Sequence, residues 1–583
     1  MKMTTSNKLF KLPAKLKTTI YLLTATGLTF HAATNRSDSL PFSNTIRTAF
    51  EGVVRSSRAI STIAFTVADY KYSLHGLPTG SEDYLHELSE VHLRSASRIL
   101  KLCETNKGFY IKAGQFVAAM RQVPEEYSST LSSLQDQVIP CDFKEIKQVL
   151  TSNLGQDLFK IFISLDEQPI AAASIAQVHR AILRDNHEVA IKVQYPGLEH
   201  KMRLDTAIMS FLSTSIAWQG CASSSWFAWD KWSFSPSTGL SGWYQNSQGL
   251  FLWNLFSKVN GKVVAFVSRV STDFIQEAKN SERTAENFRN NDVVRVPQVF
   301  WDFTTSQVLT MEFCLGCKVD DLKVLKEIKV NPIKVAKALV EVFAEMIFVH
   351  GFVHGDPHPG NILVSPEGQN GFSLVLLDHG TYRTLDEAFR VNYCQLWKAL
   401  ILLDSNKIQH LGEQFGVGKY SIYFPLIFTG RTINSKSVLG TGMSVEEKRQ
   451  LKHDLNSLKF EDISSFMESL PPNFLSILRT DGLLRSIIRR LDAPQRIRLL
   501  AYAKYALYGL SPKLNPKSDF AVKAMYYRFK AMASYLQLKL VLETLELLSW
   551  IGKAKQFVLA LLRKITGIST SFLTVSLTGT VQH

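Results

Sequence analysis

Apolar residues recur at helical spacing through Val335, Leu339, Val342, Phe343, Met346 and Ile347, behind the pair Asn331-Pro332. Asn is a good N-cap and Pro fits a first turn, so a helix is predicted from here to about Gly351. Two short apolar runs follow, Ile362–Val364 and Leu374–Leu377, with Gly368-Gln-Asn-Gly371 between them, the pattern of a hairpin. Upstream, Val189, Ile191 and Val193 alternate with Ala190 and Lys192, as in a strand with one buried face. Gln307–Phe313 reads as another strand. Tyr84–Leu100 has an unbroken helical period, and residues 38 to about 135 and 400 to 583 are mostly helical in pattern. No internal repeat is present.

A chain of 583 residues predicts two to four compact units. Lys and Arg number 66 and Asp and Glu 51, so the net charge is 66 − 51 = +15. That balance fits an anionic membrane surface or nucleic acid; no zinc-finger or RNA-binding signature supports nucleic acid. An anionic membrane surface is therefore expected, with a merely basic organellar protein as an equal alternative. Six scattered Cys are too few for a disulfide framework, and Cys314-Leu-Gly-Cys317 lacks the second pair of a zinc site. Residues 1–37 are rich in Lys, Ser and Thr and carry no acidic residue, which predicts an organelle targeting segment. The apolar stretch Ile20–Ala33 is short for a transmembrane helix, and a signal anchor is the alternative.

The chemistry is concentrated after the Asn331 helix. Asp356 and Asn361 stand five apart in His354-Gly-Asp-Pro-His-Pro-Gly-Asn361, and Asp378-His-Gly380 follows the hairpin. In phosphoryl transfer a first Asp orients the attacking hydroxyl, while an Asn and a second Asp hold Mg²⁺ on the nucleotide phosphates. His350, His354 and His358 are four apart, but Gly351, Gly355, Pro357 and Pro359 forbid the continuous helix that a metal-binding face would need. Lys192 in Val189-Ala-Ile-Lys192 is placed to bind the phosphates and requires a carboxylate partner from a helix. Where a protein kinase has a Gly-rich loop, this chain has Ala171, Ala172, Ala173 and Ser174, small enough for close approach but less adaptable. Glu312-Phe-Cys314 falls where an interlobe hinge would meet adenine through its backbone.

These motifs together resemble the aarF/UbiB atypical kinase-like family. The resemblance implies an α+β fold, a bilobal protein-kinase-like domain with an N-terminal helical extension and a helical C-terminal region. The parts would be 1–37 targeting, 38–140 helical extension, 141–315 N-lobe, 316–430 C-lobe and 431–583 C-terminal extension. It implies ATP or ADP with Mg²⁺ as cofactors and a place in mitochondria, inner-membrane associated, with membrane lipids as partners. Lys112-Ala-Gly-Gln115 matches the family's K-x-G-Q motif, so Lys112 and Gln115 would face the nucleotide and restrain protein phosphorylation.

One stretch departs from the pattern. Between 218 and 253 lie six of the nine Trp, and from Asp205 to Asp273 the only acidic residue is Asp230. The family pattern just before Phe274 is E-x-D, whereas this chain reads Ser271-Thr-Asp273. Either a lineage-specific insertion or a mistaken gene model accounts for it, and Asp273 and Glu277 remain as carboxylates for Lys192 or metal. No Ala-Pro-Glu activation segment follows Asp378. Three functions are expected from this: an ATP-dependent atypical kinase or ATPase in membrane lipid or prenyl-quinone homeostasis; a nucleotide-binding pseudokinase scaffold; or a small-molecule kinase, against which Lys112–Gln115 argues. The basic apolar segments Leu484–Leu491, Gln537–Ile551 and Phe557–Ile565 are expected as core-packing helices with solvated basic faces, with a membrane-surface role as the competitor.

Overall fold

The computed structural model describes residues 42–78, 81–118, 123–135, 140–155, 157–173, 175–198, 201–202, 205, 273–368, 371–433, 435, 439–440, 443–456, 466, 469–511 and 521–566. The targeting segment, Ser174 and the Trp-rich stretch lie outside them. The chain divides into two compact units, residues 1–318 with 358–381, and residues 319–357 with 382–583.

The first unit opens with four helices: α1 (Phe42–Ser73), α2 (Glu82–Asn106), α3 (Phe109–Ala118) and α4 (Glu125–Ser132). Ser81 caps α2 by accepting from the Tyr84 amide. The four share a core that includes Ala96, Cys103, Tyr110, Ile111, Tyr127 and Leu131. Gly114 in α3 lies so close to its neighbours that a Cβ there would meet Leu134 Cδ1 at 2.4 Å and Cys103 Sγ at 3.2 Å.

Helix α5 (Phe143–Leu154) then covers an antiparallel sheet of β1 (Phe162–Leu165), β2 (Ala171–Ala172), β3 (Ala176–Leu183), β4 (Glu188–Gln194) and β6 (Val308–Glu312). The alternation in β4 behaves as its pattern predicts. Val189, Ile191 and Val193 pack with Ile146 and Leu150 of α5. Lys192 points to the opposite face, opposite Val178 of β3 and Leu309 of β6. There a second core of Phe109, Ile175, Leu309 and Met311 receives helix α6 (Phe274–Asn287) through Phe274 and Ala278. A smaller sheet joins β5 (Val294–Arg295) and β7 (Cys317–Lys318) to the predicted hairpin, whose strands Ile362–Ser365 and Ser373–Leu376 pair antiparallel.

The second unit is mainly helical. Helix α7 (Pro332–Glu345) is capped by the Asn331 side chain, which accepts from the Ile333 amide at 2.8 Å. A π turn, Met346–His350, follows and ends at Gly351, whose φ of 63° suits a residue with no Cβ. Strand Phe352–His354 then pairs with Tyr382–Thr384. Helices α8 (Glu387–Leu402), α9 (Pro472–Arg490) and α10 (Arg496–Gly509) complete the unit's aromatic centre, in which Phe348, Tyr393, Trp397, Phe428, Phe474 and Tyr502 are fully buried. Phe348 stacks on Tyr393 and Tyr502 meets Trp397 edge to face. Asp481 lies within this centre, paired with Arg498 at 2.8 Å and Arg485 at 2.5 Å.

The last described element, α11 (Ala521–Thr566), is 46 residues long, about 69 Å at the helical rise. It departs from the core-packing expectation. Leu538 and Leu542 are buried, but Met525, Phe529, Met532, Leu536, Leu540, Leu547 and Trp550 are exposed. Their steps of 3, 4 and 7 place them on one face.

Candidate active site

The first unit assembles two carboxylates around Lys192. Burial by itself disfavours the ammonium charge, and a Lys on a covered strand face therefore needs carboxylates. It has two. Lys192 Nζ donates to Glu277 Oε1 at 2.6 Å and lies 3.5 Å from Asp378 Oδ2. The Phe274 ring sits 5.2 Å from the same nitrogen, on the turn of α6 preceding Glu277. Against the burial cost, Asp378 and Glu277 push the Lys192 pKa up to about 12, so the amine stays charged. Burial raises the Glu277 pKa, with Lys192 opposing and Asp378 adding to the rise.

Helix α6 sets this geometry from its first turn. Asp273, one of the two carboxylates left open by the sequence, is the N-cap: its side chain accepts from the Ile275 amide at 3.0 Å. Glu277 is the partner of Lys192. Three residues on, Asn280 lies on the same face, and its Nδ2 donates to the His379 carbonyl at 3.0 Å. The His379 amide in turn donates to Glu277 Oε1 at 3.3 Å. One helix face thus grips both Lys192 and the Asp378-His-Gly380 segment.

His379 is a buried anchor: its Nε2–H donates to the Leu376 carbonyl at 3.0 Å. Gly380 closes the segment. A Cβ there would stand 3.2 Å from Asp378 Oδ1 and 3.4 Å from Glu277 Oε2, and its amide donates to Asp378 Oδ1 at 2.9 Å. Asn361 opens the hairpin, with its amide on the His358 carbonyl and its own carbonyl accepting from the Leu377 amide at 3.0 Å. That last bond joins Asn361 to the strand end that delivers Asp378. Asp378 and Asn361 carry side-chain oxygens of the kind that Mg²⁺ takes alongside phosphates and water.

Asp356 belongs to the second unit. Its amide donates to His354 Nδ1 at 3.0 Å, so His354 shapes the turn, and the His358 ring does the same for the Gly360 amide within the first unit. Both rings are thus occupied as turn-forming acceptors. Asp356 Oδ1 accepts from Arg479 Nη2 at 3.3 Å, with the two side chains about one-quarter exposed, at 25% and 27%. Among the described residues, no group of three or more His, Cys, Asp or Glu side chains is placed to hold a metal ion.

The remaining predicted residues are spread over the first unit. Ala171 and Ala172 form β2 on the edge of β3, and the Ala173 amide donates to the Ala176 carbonyl at 2.8 Å. Tyr195 Oη donates to the Ala173 carbonyl at 3.1 Å, which fastens the loop further. At the end of β6, the Glu312 side chain pairs with Arg295 at 2.6 Å and the Glu312 amide donates to the Gln298 carbonyl. The Cys314 thiol is buried, and its pKa is pushed up to about 11 mainly by desolvation. Cys314 and Cys317 are both free thiols. In α3, Lys112 is half-buried, and Gln115 Nε2 donates to the Leu134 carbonyl at 3.0 Å. Gln115 therefore ties α3 to the turn at Leu134, a task its motif did not announce.

Residues 133–226 and 259–412 match the ABC1 atypical kinase-like domain. AarF domain-containing protein kinase 1 of Mus musculus is 35% identical over 440 residues, 75% of this chain and 78% of the relative. The chain belongs to the ABC1/aarF atypical kinase-like family. AarF domain-containing kinase 1 of Drosophila melanogaster is 31% identical over 453 residues, covering 76% of this chain and 81% of the relative. Among solved structures, the Rv3197–erythromycin complex from Mycobacterium tuberculosis shares 19% identity at a TM-score of 0.43, over 73% of this chain and all of that one. The ABC1 match breaks off at 226, inside the Trp-rich stretch, and resumes at 259, just beyond Trp253. Within this ABC1/aarF chain, Asn280 and Arg479 went unmarked in the sequence, and Glu277 stood only as one of two open candidates. The helical spacing of Phe274, Glu277 and Asn280 was the available signal.

Proposed function

We propose that this ABC1/aarF chain is an Mg²⁺-dependent ATP-binding phosphotransferase or ATPase. The observation that carries the reading is the buried Lys192–Glu277–Asp378 cluster, in which a strand Lys is held by a helix carboxylate beside the Asp of Asp-His-Gly. Lys192 holds the nucleotide's phosphates, and Glu277 keeps the Lys extended and charged. Asp378 and Asn361 supply the oxygen ligands for Mg²⁺, which neutralises phosphate charge when bound. Asp356, five residues before Asn361, orients the attacking hydroxyl or water and takes its proton. The Ala171–Ala173 loop, pinned by Ala176 and Tyr195, favours one alternative, a nucleotide-binding pseudokinase scaffold. Turnover separates the two. A thermal shift on Mg²⁺-ATP that is lost in Asp378→Ala is the expected result. An equal shift in wild type and variant ends the metal assignment.

The same reading places the chain at a mitochondrial membrane, in lipid or prenyl-quinone homeostasis. Among the described residues no helix is long and apolar enough to cross a membrane. Support comes from the exposed apolar row of α11, from Met525 to Trp550, with Lys530, Lys539 and Lys555 also exposed on that helix. Such a surface suits an anionic bilayer face. Co-sedimentation with anionic but not neutral vesicles, lost in Leu540→Glu, is expected; self-association in place of vesicle binding refutes it.

A further inference from the structure

Asp356 is held by a residue from far along the chain. Arg479 lies on α9, beyond residue 412 where the ABC1 match ends. Helix α9 meets the catalytic-loop side of the second unit at three points. Arg479 Nη2 donates to Asp356 Oδ1 at 3.3 Å, Thr480 Oγ1 donates to the His354 carbonyl at 3.3 Å, and Asn473 Oδ1 accepts from Arg383 Nε at 2.9 Å. The helix cannot rotate to break these contacts cheaply. Phe474, Ile477 and Leu484 of the same helix are fully buried, and Asp481 is locked between Arg485 and Arg498.

We propose that Arg479 is a positioning residue for Asp356, so that α9 serves the base and is not only an extension packed behind it. The contact runs from a rigid guanidinium fork to one carboxylate oxygen. It fixes the rotamer of the side chain that must meet the nucleophile's proton, and both groups remain partly open to a ligand. Thr480, one residue on, holds the His354 carbonyl, and His354 Nδ1 accepts the Asp356 amide. Neighbouring positions of α9 therefore fix the side chain and the backbone of the same residue. The inference rests on the reading of Asp356 as the base.

The test compares Mg²⁺-ATP turnover of the full chain in wild type, Arg479→Ala, Arg479→Lys and Asp356→Asn, with thermal unfolding and Mg²⁺-ATP binding measured alongside. A misaligned base predicts kcat down by about 10- to 100-fold in Arg479→Ala with KM for ATP within about twofold. Millimolar guanidinium should restore part of the Arg479→Ala activity and none of Asp356→Asn, a response that a purely structural Arg would not give. Arg479→Lys should fall between, because a point charge replaces the fork. Unchanged or raised kcat in Arg479→Ala overturns the proposal, as does a loss that follows unfolding and ignores guanidinium. A wild type without turnover, or an Asp356→Asn variant as active as wild type, removes the reading of Asp356 and the proposal with it.

Discussion

Lys192→Met and Glu277→Gln should differ in a way that measures the buried cluster directly. In the native protein Lys192 is 10% exposed and Glu277 4%, with Asp378 as a second carboxylate 3.5 Å from the ammonium. Glu277→Gln keeps the shape and leaves Lys192 paired with Asp378, so the loss is one charge-assisted hydrogen bond, about 2 kcal/mol. Lys192→Met leaves two carboxylates side by side with no cation. Removing one partner of a buried pair costs about 3–5 kcal/mol, and the partial exposure of Asp378 places this case near 3 kcal/mol. The two variants also part with pH. Burial and Asp378 hold the Glu277 pKa above its unfolded value, and without Lys192 only the His379 amide opposes that rise. Native Glu277 then binds a proton at pH values where the unfolded carboxyl has already lost it. The deficit of Lys192→Met relative to wild type should therefore shrink as pH falls from neutral toward 5, and widen again on return. Urea unfolding at a series of pH values reads this. A Glu277→Gln deficit equal to that of Lys192→Met, or a Lys192→Met deficit independent of pH, would refute the argument.

Two further outcomes follow from packing and burial. Gly509 ends α10 where a Cβ would lie 2.2 Å from the Phe348 carbonyl oxygen and 2.8 Å from Cys394 Sγ, so Gly509→Ala should cost about 3 kcal/mol and expose the C-terminal helices to limited proteolysis. His92 lies between Tyr70 and Tyr127, and burial lowers its pKa against the pull of Glu126; the unfolded chain binds its proton first, so the α1–α4 layer should lose hydrogen-exchange protection from pH 7 to 5, and His92→Gln should flatten that slope.

Local chemistry made much of this legible. Asn331-Pro332 announced α7, the alternation of Val189, Ile191 and Val193 announced β4, and the turn residues 368–371 announced the hairpin that carries Asn361 and Asp378. Each is decided within a few residues of chain. Arg479 is not: its partner is 123 residues away, and a lone Arg on an amphipathic helix has no local signature. The exposed face of α11 was hidden for another reason. Period shows which residues share a face, but not whether anything covers it, so Leu540 and Trp550 read like core.

The missing E-x-D Glu raised doubt about whether Lys192 had a partner at all, and the way α6 is anchored removes it. The Phe274 amide donates to the Ser306 carbonyl at 3.1 Å, Phe274 and Ala278 pack on Leu309 and Met311, and Asp273 caps the helix from its own position. All of these contacts come from the start of α6 and from Ser306 and the strand β6 just after it, which follow α6 in the chain. They fix the rotation of α6 about its axis, and that rotation aims Glu277 at Lys192 and Asn280 at His379. The break in the ABC1 match from 227 to 258 therefore falls in a different part of the sequence from the residues that set the Lys192 site. The geometry of the charged cluster rests on one short stretch, Asp273 to Asn280, in which a cap, an aromatic ring, a carboxylate and a carboxamide follow one another along a single helix face.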